Sequence, residues 1–151
     1  MILRLLPSSI VLTVALVAGA AAVAPADSPL ISHGKQINLH NGWIEVRNLT
    51  TVTADIEIRP ARGTPIDRRA ALGPREVFDA NNCCYKPDGL YDVSFKRLGS
   101  EANRDAIALF RLRRCSRDGA VFGFASIDVR GPSYTRSGVT FSLVRVDTEC
   151  P

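Results

Sequence analysis

Two stretches alternate strictly between apolar and polar residues. In WIEVRN (43–48), Ile44 and Val46 share one side while Glu45 and Arg47 share the other; in TADIEIR (53–59), Ala54, Ile56 and Ile58 alternate with Asp55, Glu57 and Arg59. A period of two marks a strand with one buried and one wet face. The short connection from Asn48 to Val52 predicts that the two strands form a hairpin. A loop rich in Pro, Gly and Arg follows (RPARGTPIDRR, 59–69), then a short strand near Glu76 within ALGPREVFD. Four further strand segments run over Leu90 to Arg97, Ala106 to Arg114, Ala120 to Arg130 and Gly138 to Asp147. No segment joins helical periodicity to adequate length and capping, although Ser100 to Asp105 has room for one turn. The pattern predicts an all-β fold: a small antiparallel two-sheet β-sandwich, immunoglobulin-like in architecture, of about seven or eight strands.

Asp118-Gly119 is the strongest local signal. A type I′ turn needs positive φ at both central residues, which Asp and Gly tolerate. With those two in the turn, facing residues have numbers that sum to 237. Phe110 then meets Ile127, Ala108 meets Val129 and Leu112 meets Ala125, all apolar and all on one face. Extending the meander places Val139, Phe141 and Leu143 opposite Val129, Ile127 and Ala125. It also places Tyr91, Val93 and Phe95 opposite Leu112, Phe110 and Ala108. Together these pairings carry all four cysteines, Cys83, Cys84, Cys115 and Cys150, towards one end of one sheet.

The ends of the chain alter this picture only at the start. Residues 1–26 hold one charge, Arg4, before the apolar run IVLTVALVAGAAAVA (10–24), and Ala24-Pro25-Ala26 offers a small-residue cleavage site. The run is shorter than the ~20 residues that span a bilayer as a helix. This layout predicts a secretory signal peptide over 1–26, a flexible lead-in over 27–36 and a single β-sandwich domain over 37–151. The protein is then secreted or periplasmic, with no transmembrane anchoring after cleavage. Removing residues 1–26 from 151 leaves 125, with 18 basic and 15 acidic side chains and a net charge of +3. So small an excess does not by itself indicate nucleic acid, and no nucleic-acid partner is expected. Sixteen of the 19 basic residues are arginine, a bias that a GC-rich coding sequence accounts for without any function.

Four cysteines in an exported chain of this size predict two disulfides. Adjacent residues of an extended chain point to opposite sides. Cys83 and Cys84 are therefore expected to reach different partners, one joining Cys115 and the other Cys150. The alternative is a strained Cys83-Cys84 bond acting as a redox switch. Neither a C-x-x-C pair nor zinc-knuckle spacing is present. His33 and His40, seven apart and without nearby acidic or cysteine ligands, read as solvent-exposed. No metal or cofactor is implied. Nucleophile-elbow, zincin, dinucleotide and P-loop motifs are all absent.

In the meander register, Arg111, Arg113, Phe122 and Phe124 occupy the outer face, with Arg114 and Arg117 at its margin. Arginine beside aromatic rings can hold an anion or an acidic protein surface. Asn48-Leu49-Thr50 matches an N-glycosylation sequon on an expected turn. The fragment Pro87-Asp88-Gly89-Leu90-Tyr91 resembles the tyrosine corner of immunoglobulin-like sandwiches, in which a Tyr near a strand start bonds back to the preceding loop. No cysteine follows Tyr91 by two residues, so the likeness supports the architecture and assigns no family. The reading is a disulfide-bonded, non-enzymatic binding or interaction module for an anionic ligand or acidic protein partner. Its alternatives are a thiol-disulfide redox protein using Cys83-Cys84 and a secreted enzyme whose site is assembled from dispersed residues.

Overall fold

The computed structural model describes residues 30–34 and 41–151. The expected signal peptide, half of the lead-in, His40 and the side chain of His33 lie outside what is described. Ten strands follow one another: β1 (Ile31–Gly34), β2 (Gly42–Asn48), β3 (Ala54–Pro60), β4 (Asp67–Leu72), β5 (Glu76–Asn82), β6 (Leu90–Arg97), β7 (Ala106–Arg111), β8 (Arg113–Arg117), β9 (Ala120–Thr135) and β10 (Gly138–Arg145). They build two sheets. One has the order β1-β5-β2-β9-β10, with β8 also on β9; the other has the order β4-β3-β6-β7. The all-β, two-sheet expectation is met. The expectation of wholly antiparallel pairing is not, because β1 runs parallel to β5 and β2 parallel to β9.

Alternation explains the packing. Ile44 and Val46 of β2, Ile56 and Ile58 of β3, Val93 and Phe95 of β6, and Ile127 and Val129 of β9 are all at most 1% exposed and form one core between the sheets. The two alternating segments at 43–59 belong to different sheets, which corrects the expected hairpin. β2 pairs with β5 and β9, while β3 pairs with β4 and β6. The chain crosses between layers at Asn48, whose fully buried side chain organises the crossing. Its Nδ2 donates to the carbonyls of Val52 (2.9 Å) and Leu72 (3.0 Å), and its Oδ1 accepts from the Thr50 N–H (3.1 Å) and hydroxyl (2.7 Å). The sequon asparagine is thus enclosed in the fold, and its amide is committed to the backbone.

The Asp118-Gly119 turn forms as expected, with φ of 49° and 80°. Arg113 meets Phe124, Cys115 meets Phe122 and Arg117 meets Ala120, each pair summing to 237. The register fails beyond Leu112. There the chain leaves this sheet, and β7 pairs with β6 in the other one, so Phe110 and Ile127 share the core across the two layers. Apolar matching could not separate the two arrangements, since both bury the same faces. β6 meets β7 with Tyr91 on Phe110, Val93 on Ala108 and Phe95 on Ala106, two residues from the expected pairing. The shift follows from the connection: Asp105 accepts from the Arg97 backbone N–H (2.7 Å) and guanidinium (2.8 Å), fixing where β7 starts.

β9 continues past Arg130 to Thr135, through Gly131-Pro132, and β10 pairs Leu143 with Val129 and Arg145 with Ile127. The register shifts between Thr140 and Ser142, so that Gly131 and Pro132 of β9 together face Phe141 of β10. A bulge tolerates proline's missing N–H inside a strand. The strands β1 and β4, expected as lead-in and loop, are edges of their sheets. Half of β4 is exposed and its sequence DRRAAL lacks apolar alternation, so it carried little signal.

Candidate functional site at the Cys83-Cys84 loop

The bridge runs from Cys115 to Cys150, and Cys83 and Cys84 are exposed free thiols. This corrects the expected pairing of Cys83 and Cys84 with Cys115 and Cys150. Cys115 and Cys150 take each other because β8 brings Cys115 to the edge along which residues 146–150 return. Arg113 secures that return, donating from Nη1 to the Thr148 carbonyl (2.9 Å) and pairing through Nε with Asp147 (3.3 Å).

The loop that carries the thiols is built from its own sequence. β5 ends at Asn82, whose Oδ1 accepts from the Cys84 N–H at 2.9 Å, a local Asx turn of the kind asparagine favours. Tyr85 then drives inward and is 1% exposed. Its hydroxyl donates to Asp67 Oδ2 at 2.6 Å, and its ring meets Tyr91 edge-on with centroids 5.2 Å apart. Burial first, then the bond to Asp67, pushes the Tyr85 phenol far above its ordinary value, so it remains a neutral donor. Gly42 is needed below it, because a Cβ there would overlap the Tyr85 backbone. Tyr91 closes the loop from the other side: its hydroxyl donates to the Cys84 carbonyl (2.6 Å) and accepts from the Lys86 N–H (2.8 Å). These are the bonds that the tyrosine-corner likeness implies.

The two thiols held by this frame lie 3.8 Å apart, sulfur to sulfur. Their mutual hydrogen bond, and then the charge that Cys83 would carry, hold the Cys84 thiol above its ordinary value, with Lys86 acting in the opposite sense. The loop runs on against the sheet end. Asp88 donates its N–H to the Leu112 carbonyl (3.0 Å) and receives Arg114 on its carboxylate (2.9 Å), while Arg111 donates to its carbonyl (3.0 Å).

The arginine and phenylalanine residues expected on the outer face are therefore divided by the structure. Phe122 and Phe124 do point away from the main core, yet they are 2% and 6% exposed, packed with Cys115 and covered by Trp43. The Trp43 and Phe124 rings stand 5.2 Å apart. Arg113 is engaged with Asp147, which Arg145 also holds at 2.8 Å. Arg111, Arg114 and Arg117 remain exposed at the sheet end, the first two beside the thiol loop. The features that sequence reasoning missed are the lid formed by Trp43 and the Arg145-Asp147 clamp. A lone tryptophan on an early strand and an acid two residues after an arginine were the only signals for them.

Elsewhere, a depression of about 330 Å³ on the outer face of β3 and β6 is lined by Asp55, Glu57, Arg59 and Lys96 among others. Glu57 is paired there with Arg59 and Arg68. Among the described residues no group of three or more His, Cys, Asp or Glu side chains is placed to hold a metal, and no helix is long and apolar enough to cross a membrane. No protein-family model matches the chain, and no curated protein matches it in sequence.

Proposed function

We propose that this protein is an exported interaction module on an immunoglobulin-like sandwich, which captures partners covalently by thiol-disulfide exchange at Cys83-Cys84. The observation that carries the reading is the pair of exposed thiols left over once Cys115 and Cys150 have joined. Either sulfur can donate in the contact between them, and the raised Cys84 pKa favours Cys83 as the attacking sulfur. Its thiolate forms a new S–S bond to one sulfur of a partner disulfide, and the other sulfur leaves as a thiolate. Resolution by Cys84 would then require a ring between adjacent residues, whose Cα atoms are about 3.8 Å apart across a trans peptide. Ordinary disulfides need about 4.4–6.8 Å. That strain disfavours closure, so the mixed disulfide persists and the pair captures instead of turning over.

Lys86, Arg111 and Arg114 on and beside the loop favour an anionic or acidic partner. Positive charge at an exposed site raises the local concentration of anions and is screened by salt. The test compares an anionic aromatic disulfide, dithiobis-nitrobenzoate, with neutral dithiodipyridine, each referenced to free cysteine. Two thiols per chain should react, the anionic reagent should be favoured at low salt, and Cys83→Ser should slow the reaction more than Cys84→Ser. Fewer than two reactive thiols would refute the capture reading. A salt-independent rate ratio equal to that of free cysteine would refute the acidic-partner reading.

A further inference from the structure

Two thiols held 3.8 Å apart match a second chemistry. A tetrahedral ion with metal-sulfur bonds of about 2.3 Å has its sulfurs about 3.8 Å from one another. A linear two-coordinate ion would need sulfurs nearly two full bond lengths apart. We infer that Cys83 and Cys84 supply one edge of a tetrahedral thiolate site for a zinc-class divalent ion, and that a second copy of this chain supplies the opposite edge. The inference rests on the proposal that both thiols are reduced and accessible.

Three observations support it. The loop is already rigid, because Asn82, Tyr85 and Tyr91 fix the backbone on both sides of the pair, so little ordering is needed on binding. No third ligand accompanies the thiols among the described residues, so those residues fill only two of four positions. Both sulfurs are exposed, which leaves the open half of the site facing outward. Opposite edges of a tetrahedron are exchanged by a two-fold axis through its centre. Two identical loops can therefore complete the site with the symmetry of an ordinary homodimer. Each thiol gives up its proton to solvent as its sulfur bonds the ion. Four thiolates around a divalent ion leave two negative charges, and Lys86, two residues beyond Cys84, carries charge of the opposite sign.

The experiment begins with the whole protein, its Cys115–Cys150 bridge intact, and a count of free thiols by alkylation. Cadmium ion alone is then titrated, with thiolate absorbance and light-scattering mass followed together. Saturation at one cadmium per two chains is expected, with the mass doubling and a chelator reversing it. Cys83→Ser and Cys84→Ser should each abolish the doubling, and both are exposed positions whose replacement leaves the core intact. The response should weaken as pH falls, because the ligands must be deprotonated. Two free thiols with no cadmium response, or saturation at one ion per chain with unchanged mass, overturn the inference while leaving covalent capture standing. A count of zero free thiols overturns both.

Discussion

Asn48 is the residue on which the crossing between the two sheets depends, and Asn48→Ala tests that directly. The side chain is 0% exposed and takes part in four hydrogen bonds within its own corner. Truncation does not orphan all of them equally. The Val52 carbonyl keeps the Thr50 hydroxyl at 3.2 Å, whereas the Leu72 carbonyl and the Thr50 N–H lose the partners described here. Each buried group left unsatisfied costs about 1–3 kcal/mol, so the loss should be about 3 kcal/mol, a large part of the roughly 5–15 kcal/mol that holds a small domain together. With a urea dependence of about 1–3 kcal/mol per molar, the unfolding midpoint should fall by about 1–3 M, read by fluorescence or circular dichroism. Asn48→Asp should be worse than alanine near neutral pH, since it aims a carboxylate at two carbonyls. That difference should shrink as pH approaches 4, when protonation restores one donor. The exposed Asn103→Ala is the control. If Asn48→Ala stays within about 0.5 kcal/mol of wild type, as an ordinary surface change would, the crossing is not held by this side chain.

Three further predictions concern the rest of the frame. Burial raises the Asp105 carboxyl, but hydrogen bonds from the Arg97 guanidinium and N–H and from Ser100 outweigh it and hold it below its usual value; a depressed folded pKa means stability that is complete above the unfolded value of about 3.9 and lost as pH falls through the folded one. Acid titration of wild type should therefore show a stability loss below about pH 4 that is smaller in Asp105→Asn, and equal acid sensitivity would refute this. Tyr91→Phe removes the bonds to the Cys84 carbonyl and Lys86 N–H, should cost about 1–3 kcal/mol, and should speed hydrogen exchange at the Lys86 amide; unchanged exchange there would show that the loop does not need the corner. Cys150→Ser, which opens a bridge spanning 35 residues, should cost about 2–4 kcal/mol and expose the Trp43-Phe124 pair to a fluorescence quencher, and an unchanged quenching constant would count against the lid.

How far the sequence could be read depended on which physical signal each feature leaves. The alternation at 43–48, 54–59 and 90–97 was legible because a half-buried strand imposes it residue by residue. The Asp118-Gly119 turn was legible because positive φ is a local steric demand, and so was the Tyr91 corner, whose partners lie within seven residues. β1 was not, because four residues are too few to show a period, and β4 was not, because half of that edge strand is exposed. The candidate site was half visible: Cys83 and Cys84 stood out as a pair, but their state depended on whether Cys115 and Cys150 would find each other first.

By itself, then, the sequence determined the all-β class, which side chains face a core, the turn at 118–119 and the presence of an adjacent cysteine pair, all of which follow from local sterics and a period of two. Only the tertiary structure decided which sheet each strand joins, since a face that is apolar enough to be buried does not record whether its cover is a neighbouring strand or the opposite layer. That one ambiguity moved β3 away from β2 and β6 and β7 away from β9, let Cys115 close on Cys150, placed Trp43 over Phe124, and left two thiols exposed at the end of β5.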